Sequence, residues 1–348
     1  MWPNLILQFH FRIISMKQAV HFLYLTATFL LLSGFIFSQD AQSQSGPVPV
    51  FEWHLTLEDD ARLFVTELGA ASEPEKTFVV LHSYGWNHDF LVPVFEPFSE
   101  DYRFVLFDLR GSYRSPAPDS TLLFSQFADD LEALRSALNL KSLNLITHGS
   151  GSMIALDYLG MHPEKVNRMI FISSPPFFAN RQFFPDLDHA NRIYHDEAFI
   201  QAQITTDILQ DKLTELGLNN ISALSDRERR KREMAEFASI HLADITNWRK
   251  VRNIFFDEDI LHRISANEPQ TAWSDLSVAR SEAITETEAP VRVLIGLRDY
   301  MDPTGALWSE ILRHVKDGRH ITIEDAGHLP WVDRREAFYR EFGELLGE

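Results

Sequence analysis

An α/β architecture, with a mostly parallel eight-stranded sheet, flanking helices and a helical cap inserted late in the chain, follows from three properties of these 348 residues. Six short runs, "TFVVLH", "RFVLFD", "LNLIT", "RMIFIS", "VRVLIG" and "HITIED", are almost wholly apolar, as strands buried on both faces of a parallel sheet must be. Helix-period segments stand between several of them, and strands alternating with helices call for crossovers packed on both sides of the sheet. From about Pro175 to about Ala289 no strand-like run occurs, and an interval of that length is too long for a loop.

The elements follow in order. Residues 1–45 read as a targeting segment, with Lys17 ahead of an apolar run from about Phe22 to Phe37, then small and polar residues, and Ser38/Gln39 as the cleavage point. Export to the periplasm or the medium is the expectation, with an uncleaved membrane anchor over residues 19–38 as the alternative and Met1 or Met16 as the start. After the linker "SGPVPV", alternation in "FEWHLTL" and "RLFVTEL" around "EDDA" predicts a hairpin. These two strands and the six apolar runs make eight. Helices are expected over "FSQFADDLEALRSAL", "SMIALDYLGM" and "TGALWSEILRHV", and over three stretches of the long interval, "FIQAQITTDILQDKLTEL", "SDRERRKREMAEFASIHL" and "ITNWRKVRNIF". The domain reading is therefore a core over 46–175 and 290–348 with a helical cap over 176–289.

Composition removes several functional classes. There is no cysteine, which excludes disulfides, thiolate zinc sites and thiol catalysis. The net charge of −18 leaves "RERRKR", Arg227 to Arg232, as a solvated helix face and gives no footprint for nucleic acid. A small molecule or peptide is the expected partner, and a membrane only through an uncleaved N-terminus. No metal or organic cofactor is implied.

In open α/β sheets ligands bind at the carboxyl ends of the strands, so the residues just after each apolar run carry the chemistry. "LITHGSGSMIAL" joins a strand to a helix through a small-residue turn, the architecture of the nucleophile elbow G-x-S-x-G. Laid on that motif without gaps, Gly149 occupies the serine position and Ser150 the next, whose backbone N–H would serve an oxyanion. Asp299 ends the run "VLIGLRD", and His328 follows the last run in "IEDAGH". An acid and a histidine after two late strands are what a relay requires, the carboxylate fixing the imidazole that takes the nucleophile's proton. Asp108 and Arg110 in "FDLRGSYRSP" read as a structural pair that holds its loop.

From about Phe51 onward the chain resembles an α/β-hydrolase and, within that superfamily, is most similar to the prolyl iminopeptidase group of serine aminopeptidases. The resemblance rests on "LHSYGWNHDFLVP" against that group's L-H-G-G-P-G loop, "FDLRGSYRSP" against D-x-R-G-x-G-x-S, "THGSGS" against G-G-S-x-G-S, and on "MHPEKV", "GLRD" and "DAGHLPW". It implies hydrolysis of an N-terminal peptide bond or an ester, with Asp299 as triad acid, His328 as general base and the N–H groups of Tyr84 and Ser150 as the oxyanion hole. It also implies acidic cap residues for the substrate amine, for which Glu233 and Glu236 are the candidates.

The departures bear on activity. H-G-G-P-G has become His82-Ser83-Tyr84-Gly85-Trp86, Tyr113 replaces a glycine, and Gly149 has no side chain with which to attack. Four readings stay open: a hydrolase crippled at its nucleophile; an enzyme in which Ser150, or less favourably Ser152, attacks; a pseudoenzyme that binds a small molecule or peptide under its cap; or a glycine introduced into an ordinary hydrolase. A dinucleotide site is excluded because the elbow lacks G-x-G-x-x-G spacing, and a haloalkane-type enzyme would need a carboxylate at position 149.

Overall fold

The strands β1 (Val50–Thr56) and β2 (Arg62–Leu68) pair antiparallel, with Val50 opposite Leu68 and Thr56 opposite Arg62, as the alternation requires. The six apolar runs are β3 (Thr77–Leu81), β4 (Arg103–Phe107), β5 (Leu143–His148), β6 (Val166–Ile172), β7 (Val291–Gly296) and β8 (Gly318–Ile323). Together they build one sheet in the order β1-β2-β4-β3-β5-β6-β7-β8. The β1/β2 and β2/β4 pairs are antiparallel and all others parallel. This computed structural model describes residues 50–251, 260–269 and 271–348. The expected targeting segment, 1–45, lies outside the described residues.

Eight helices of seven residues or more occur among the described residues. They are α1 (Phe124–Ala137), α2 (Gly151–Met161), α3 (Leu187–Glu215), α4 (Asp226–His241), α5 (Ile260–Asn267), α6 (Ala272–Glu286), α7 (Ala306–Leu312) and α8 (Arg335–Gly347). The two-residue period of the strands divides the core in two. Val79, Leu81, Val105 and Leu145 face α1, α2, α6 and α7, while Phe78, Val80, Phe104 and Ile146 face the short helix Val92–Phe95, α8 and the end of α4. Burial of each such aromatic or branched side chain contributes about 1.5–3 kcal/mol, which is why apolar runs locate the sheet.

Among the described residues the interval 176–289 carries helices and no strand. Its first expected helix begins earlier, at Leu187, and its second is set by a capping box, Ser225 N–H donating to Glu228 Oε2 at 2.9 Å. The third stretch, Ile245 onward, forms a 3₁₀ turn over Ile245–Lys250, and residues 252–259 of it lie outside the described residues. Helix α6 packs along α2 on the sheet's flank, where the Arg280 guanidinium donates two 2.7 Å hydrogen bonds to the Asp157 carboxylate. It lies beside the crossover helices of the flank while falling within the interval 176–289 expected as the cap.

Candidate active site

At the end of β5 the chain turns sharply at Gly149, whose φ is +54°, and enters α2 two residues later. That left-handed conformation is the strained elbow that lifts residue 149 clear of the sheet. Gly151 lets α2 approach β3, since a Cβ there would lie 2.7 Å from both the Leu81 and His82 carbonyl oxygens. The turn thus has the geometry expected of an elbow, with glycine at position 149.

The two residues expected to form a relay come from the ends of the last two strands, β7 and β8. The loop after β7 and the loop after β8 touch: Arg298 N–H donates to the Ala326 carbonyl at 2.9 Å, and a Cβ on Gly296 would collide with that same oxygen. This closeness sets His328 Nδ1 3.0 Å and 3.2 Å from the two carboxylate oxygens of Asp299. With Asp299 ionised, Nδ1–H donates and Nε2 is left as a bare acceptor aimed at the elbow. Both side chains are buried. Burial pushes the Asp299 carboxyl up to about 7 and the His328 imidazole down to about 3, so the pair disfavours separated charge until a reacting group supplies it. Asp333 positions the histidine loop by accepting from Gly327 N–H at 2.9 Å and from Ala243 N–H, just beyond α4, at 2.8 Å.

The loops that carry the expected oxyanion donors, Tyr84 and Ser150, lie side by side at the ends of β3 and β5. Leu81 pairs with Thr147 in register, so Ser83 and Gly149 stand side by side, each two residues beyond that pair. A Cβ built on Gly149 would overlap Ser83 Oγ and lie 3.5 Å from His328 Nε2. Ser83 therefore holds the volume a nucleophile's side chain would occupy. Its hydroxyl donates to the His148 carbonyl at 3.2 Å and accepts from Ser150 N–H at 3.2 Å, while Tyr84 N–H donates to Ser150 Oγ at 2.9 Å. The buried His82 locks this loop: Nδ1–H donates to the Ser83 carbonyl at 2.7 Å and Nε2 accepts from Leu109 N–H at 3.0 Å. Burial lowers its pKa to about 4, which keeps one nitrogen free to accept.

The structure brings Asp299, His328, Gly149, Ser150 and Tyr84 to one place. Among the described residues Ser150 Oγ accepts from the Tyr84 amide, and neither it nor Ser83 Oγ makes a hydrogen bond to His328. Ser152 Oγ turns back to the Gly149 carbonyl at 3.1 Å, away from the imidazole. Glu233 is exposed, and Glu236 pairs with Arg232 at 2.8 Å beside a neighbouring cavity. Neither lines the cleft over the relay, because α4 turns Ala235, Ala238 and Ser239 inward instead. Asp108 and Arg110 hold loops, Asp108 accepting from His88 and Arg114, and Arg110 bridging Asp59 and Asp130. Sequence reasoning missed Ser83, His82 and Asp333. For Ser83 a signal existed, since a serine stands in the loop where the resembled group has glycine, and position 149 has none.

The cleft over the relay has a volume of about 390 Å³ and is walled by Trp86, Met153, Phe177, Phe178, Leu261 and Trp273. No carboxylate lines it among the described residues, and its one cation, Arg280, is spent on Asp157. His241 from α4 packs behind this lining, its ring 5.4 Å from that of His328 and its Nε2 3.4 Å from the Tyr300 hydroxyl. A larger cavity of about 870 Å³ opens between α2 and α6, away from the relay, so the chemistry singles out the smaller one.

An elbow, a strand-end acid and a strand-end histidine on this sheet define an α/β-hydrolase site. The family profile described as alpha/beta hydrolase fold matches residues 76–334, and the chain belongs to that family. Over 285 residues it is 25% identical to the 1-acylglycerol-3-phosphate O-acyltransferase ABHD5 of Rattus norvegicus, covering 77% of this chain and 76% of that protein. To the 1-acylglycerol-3-phosphate O-acyltransferase of Arabidopsis thaliana it is 27% identical over 155 residues, 43% of this chain but only 37% of that relative's length. Its fold is shared with a proline iminopeptidase-related protein from Thermus thermophilus, at a TM-score of 0.59 and 21% identity, over 86% of this chain and 98% of that one.

Proposed function

We propose that this protein is an acyl hydrolase that cleaves esters of apolar acyl groups, with Asp299 and His328 as its acid–base pair. The observation that carries the reading is that His328 Nε2 lies 3.5 Å from the side-chain position of residue 149, backed by the Asp299 carboxylate. A pure binder has no need of an aligned relay. The aromatic cleft, which no carboxylate lines among the described residues, favours an ester over an N-terminal peptide, whose free amine would require a counter-charge. The relatives named 1-acylglycerol-3-phosphate O-acyltransferases, whose named substrate carries an acyl ester, support the ester, and cleavage of an N-terminal peptide bond is the alternative. The targeting segment expected over 1–45 would carry this activity out of the cytoplasm.

A second reading has its own support. With Gly149 at the elbow and both oxyanion donors bonded to serine hydroxyls, the cleft can hold an ester without cutting it. Turnover of p-nitrophenyl acyl esters separates the two. Hydrolysis that falls by about a thousandfold in His328→Ala supports the hydrolase, as relay removal does in serine hydrolases. Saturable ester binding with no turnover in the parent supports the binder.

A further inference from the structure

We infer that Ser83 is the nucleophile of this site, its hydroxyl having taken the place vacated at Gly149. The inference rests on the hydrolase reading above. Three observations meet in it. Ser83 Oγ occupies the volume into which a side chain at 149 would project, and His328 Nε2 borders that same volume. Ser83 is a lining residue of the cleft, so a bound acyl group can reach it. The parallel register of β3 and β5 puts residues 83 and 149 at one level on adjacent strand ends, so the hydroxyl moves sideways by one strand and stays at the mouth of the same relay.

The oxyanion donors survive this exchange with their roles swapped. In an ordinary elbow one N–H comes from the residue after the nucleophile and the other from the loop after β3. Here the residue after Ser83 is Tyr84, and the second N–H is that of Ser150, contributed by the elbow. Both already converge on serine hydroxyls, Tyr84 N–H on Ser150 Oγ at 2.9 Å and Ser150 N–H on Ser83 Oγ at 3.2 Å. A substrate carbonyl oxygen replaces those acceptors.

The chemistry balances with water as the only co-reactant. Ser83 Oγ releases the His148 carbonyl, passes its proton to His328 Nε2 and bonds to the carbonyl carbon of the ester. The oxyanion rests on the N–H groups of Tyr84 and Ser150. The carbon–oxygen bond to the alcohol then breaks, and His328 returns the proton to the departing oxygen. Water attacks the acyl-Ser83 ester, gives a proton to His328, and the acid leaves as Ser83 Oγ takes that proton back. Asp299 holds Nδ1–H throughout.

The experiment uses the full chain, a fluorophosphonate probe, peptide mapping of the label and p-nitrophenyl ester turnover. Its variants are Ser83→Ala, Gly149→Ser and the double variant Ser83→Gly/Gly149→Ser, each checked for cooperative thermal unfolding. The expected result is a label on Ser83 in the parent, and loss of label and of turnover by about a thousandfold or more in Ser83→Ala. In the double variant the label moves to position 149, because removing the Ser83 side chain clears the space. A parent labelled on Ser150 overturns the inference while the hydrolase reading stands. A parent that stays unlabelled while the double variant labels also overturns it, making Ser83 a plug in a repairable hydrolase. Absence of label in both overturns the inference and the hydrolase reading together.

Discussion

Gly149 and Ser83 form a coupled pair, and the coupling can be measured as stability. At φ +54° any side chain costs about 1–2 kcal/mol of backbone strain, and here a Cβ also displaces Ser83 Oγ from its bonds to Ser150 N–H and the His148 carbonyl. Gly149→Ala is expected to destabilise the fold by about 2–3 kcal/mol, and by about 1 kcal/mol less when Ser83 is already glycine. Urea unfolding of the four chains of this double-mutant cycle measures the difference. Strain alone would leave the two backgrounds equal.

Asp299 sets the pH dependence. Burial raises its pKa to about 7 and holds that of His328 near 3, so through the neutral range the imidazole is already the free base and the carboxyl is the group that titrates. The carboxylate, which steadies an imidazolium, accumulates as pH increases. Turnover should therefore climb through about pH 7 and level off above it. Asp299→Asn should lose the climb and about 10⁴ of the rate, read from a kcat/KM profile between pH 5 and 9. A profile that instead falls with rising pH contradicts this assignment.

Between elements, the ion pair joining α2 to α6 is the test of how the flank is held. Arg280 and Asp157 are both buried and bonded in two places, and burial raises the Asp157 carboxyl above its ordinary value despite the guanidinium. Removing one partner strands the other. Arg280→Met should cost about 3–5 kcal/mol, and Asp157→Leu/Arg280→Met should recover most of it, as seen by thermal unfolding. Asp333 acts similarly between the histidine loop and the exit of α4, because it satisfies Gly327 N–H and Ala243 N–H together. The sequence offered no sign of either role, since both aspartates look like ordinary polar residues until folding gives them distant partners.

Over the whole molecule, what could be read in advance was what burial dictates. The apolar runs located the strands because a two-sided sheet tolerates little else, and the meeting of Asp299 with His328 was legible because both follow strand ends of that sheet. Helix α6 was not, since "AWSDLSVARSEAITE" has no clear apolar face and is fixed by tertiary contact with α2. Ser83 escaped because motif reading runs along the chain, whereas its significance comes from Gly149 and Ser150, far along the sequence and beside it in the fold. The cleft's aromatic wall yields a prediction at this scale. Each methylene added to the acyl chain should raise kcat/KM about fourfold, the equivalent of about 0.8 kcal/mol, until the roughly 390 Å³ are filled. A series of p-nitrophenyl esters from acetate upward checks it, and a flat series would place the acyl group elsewhere.

The pairing of Leu81 with Thr147 has a consequence beyond this chain. Parallel strands in register present their ends as a row of equivalent addresses about 4.8 Å apart, so a reactive group can change its place in the sequence while keeping its place in space. A chain set aside for a broken elbow should be read again one strand over, at the same level.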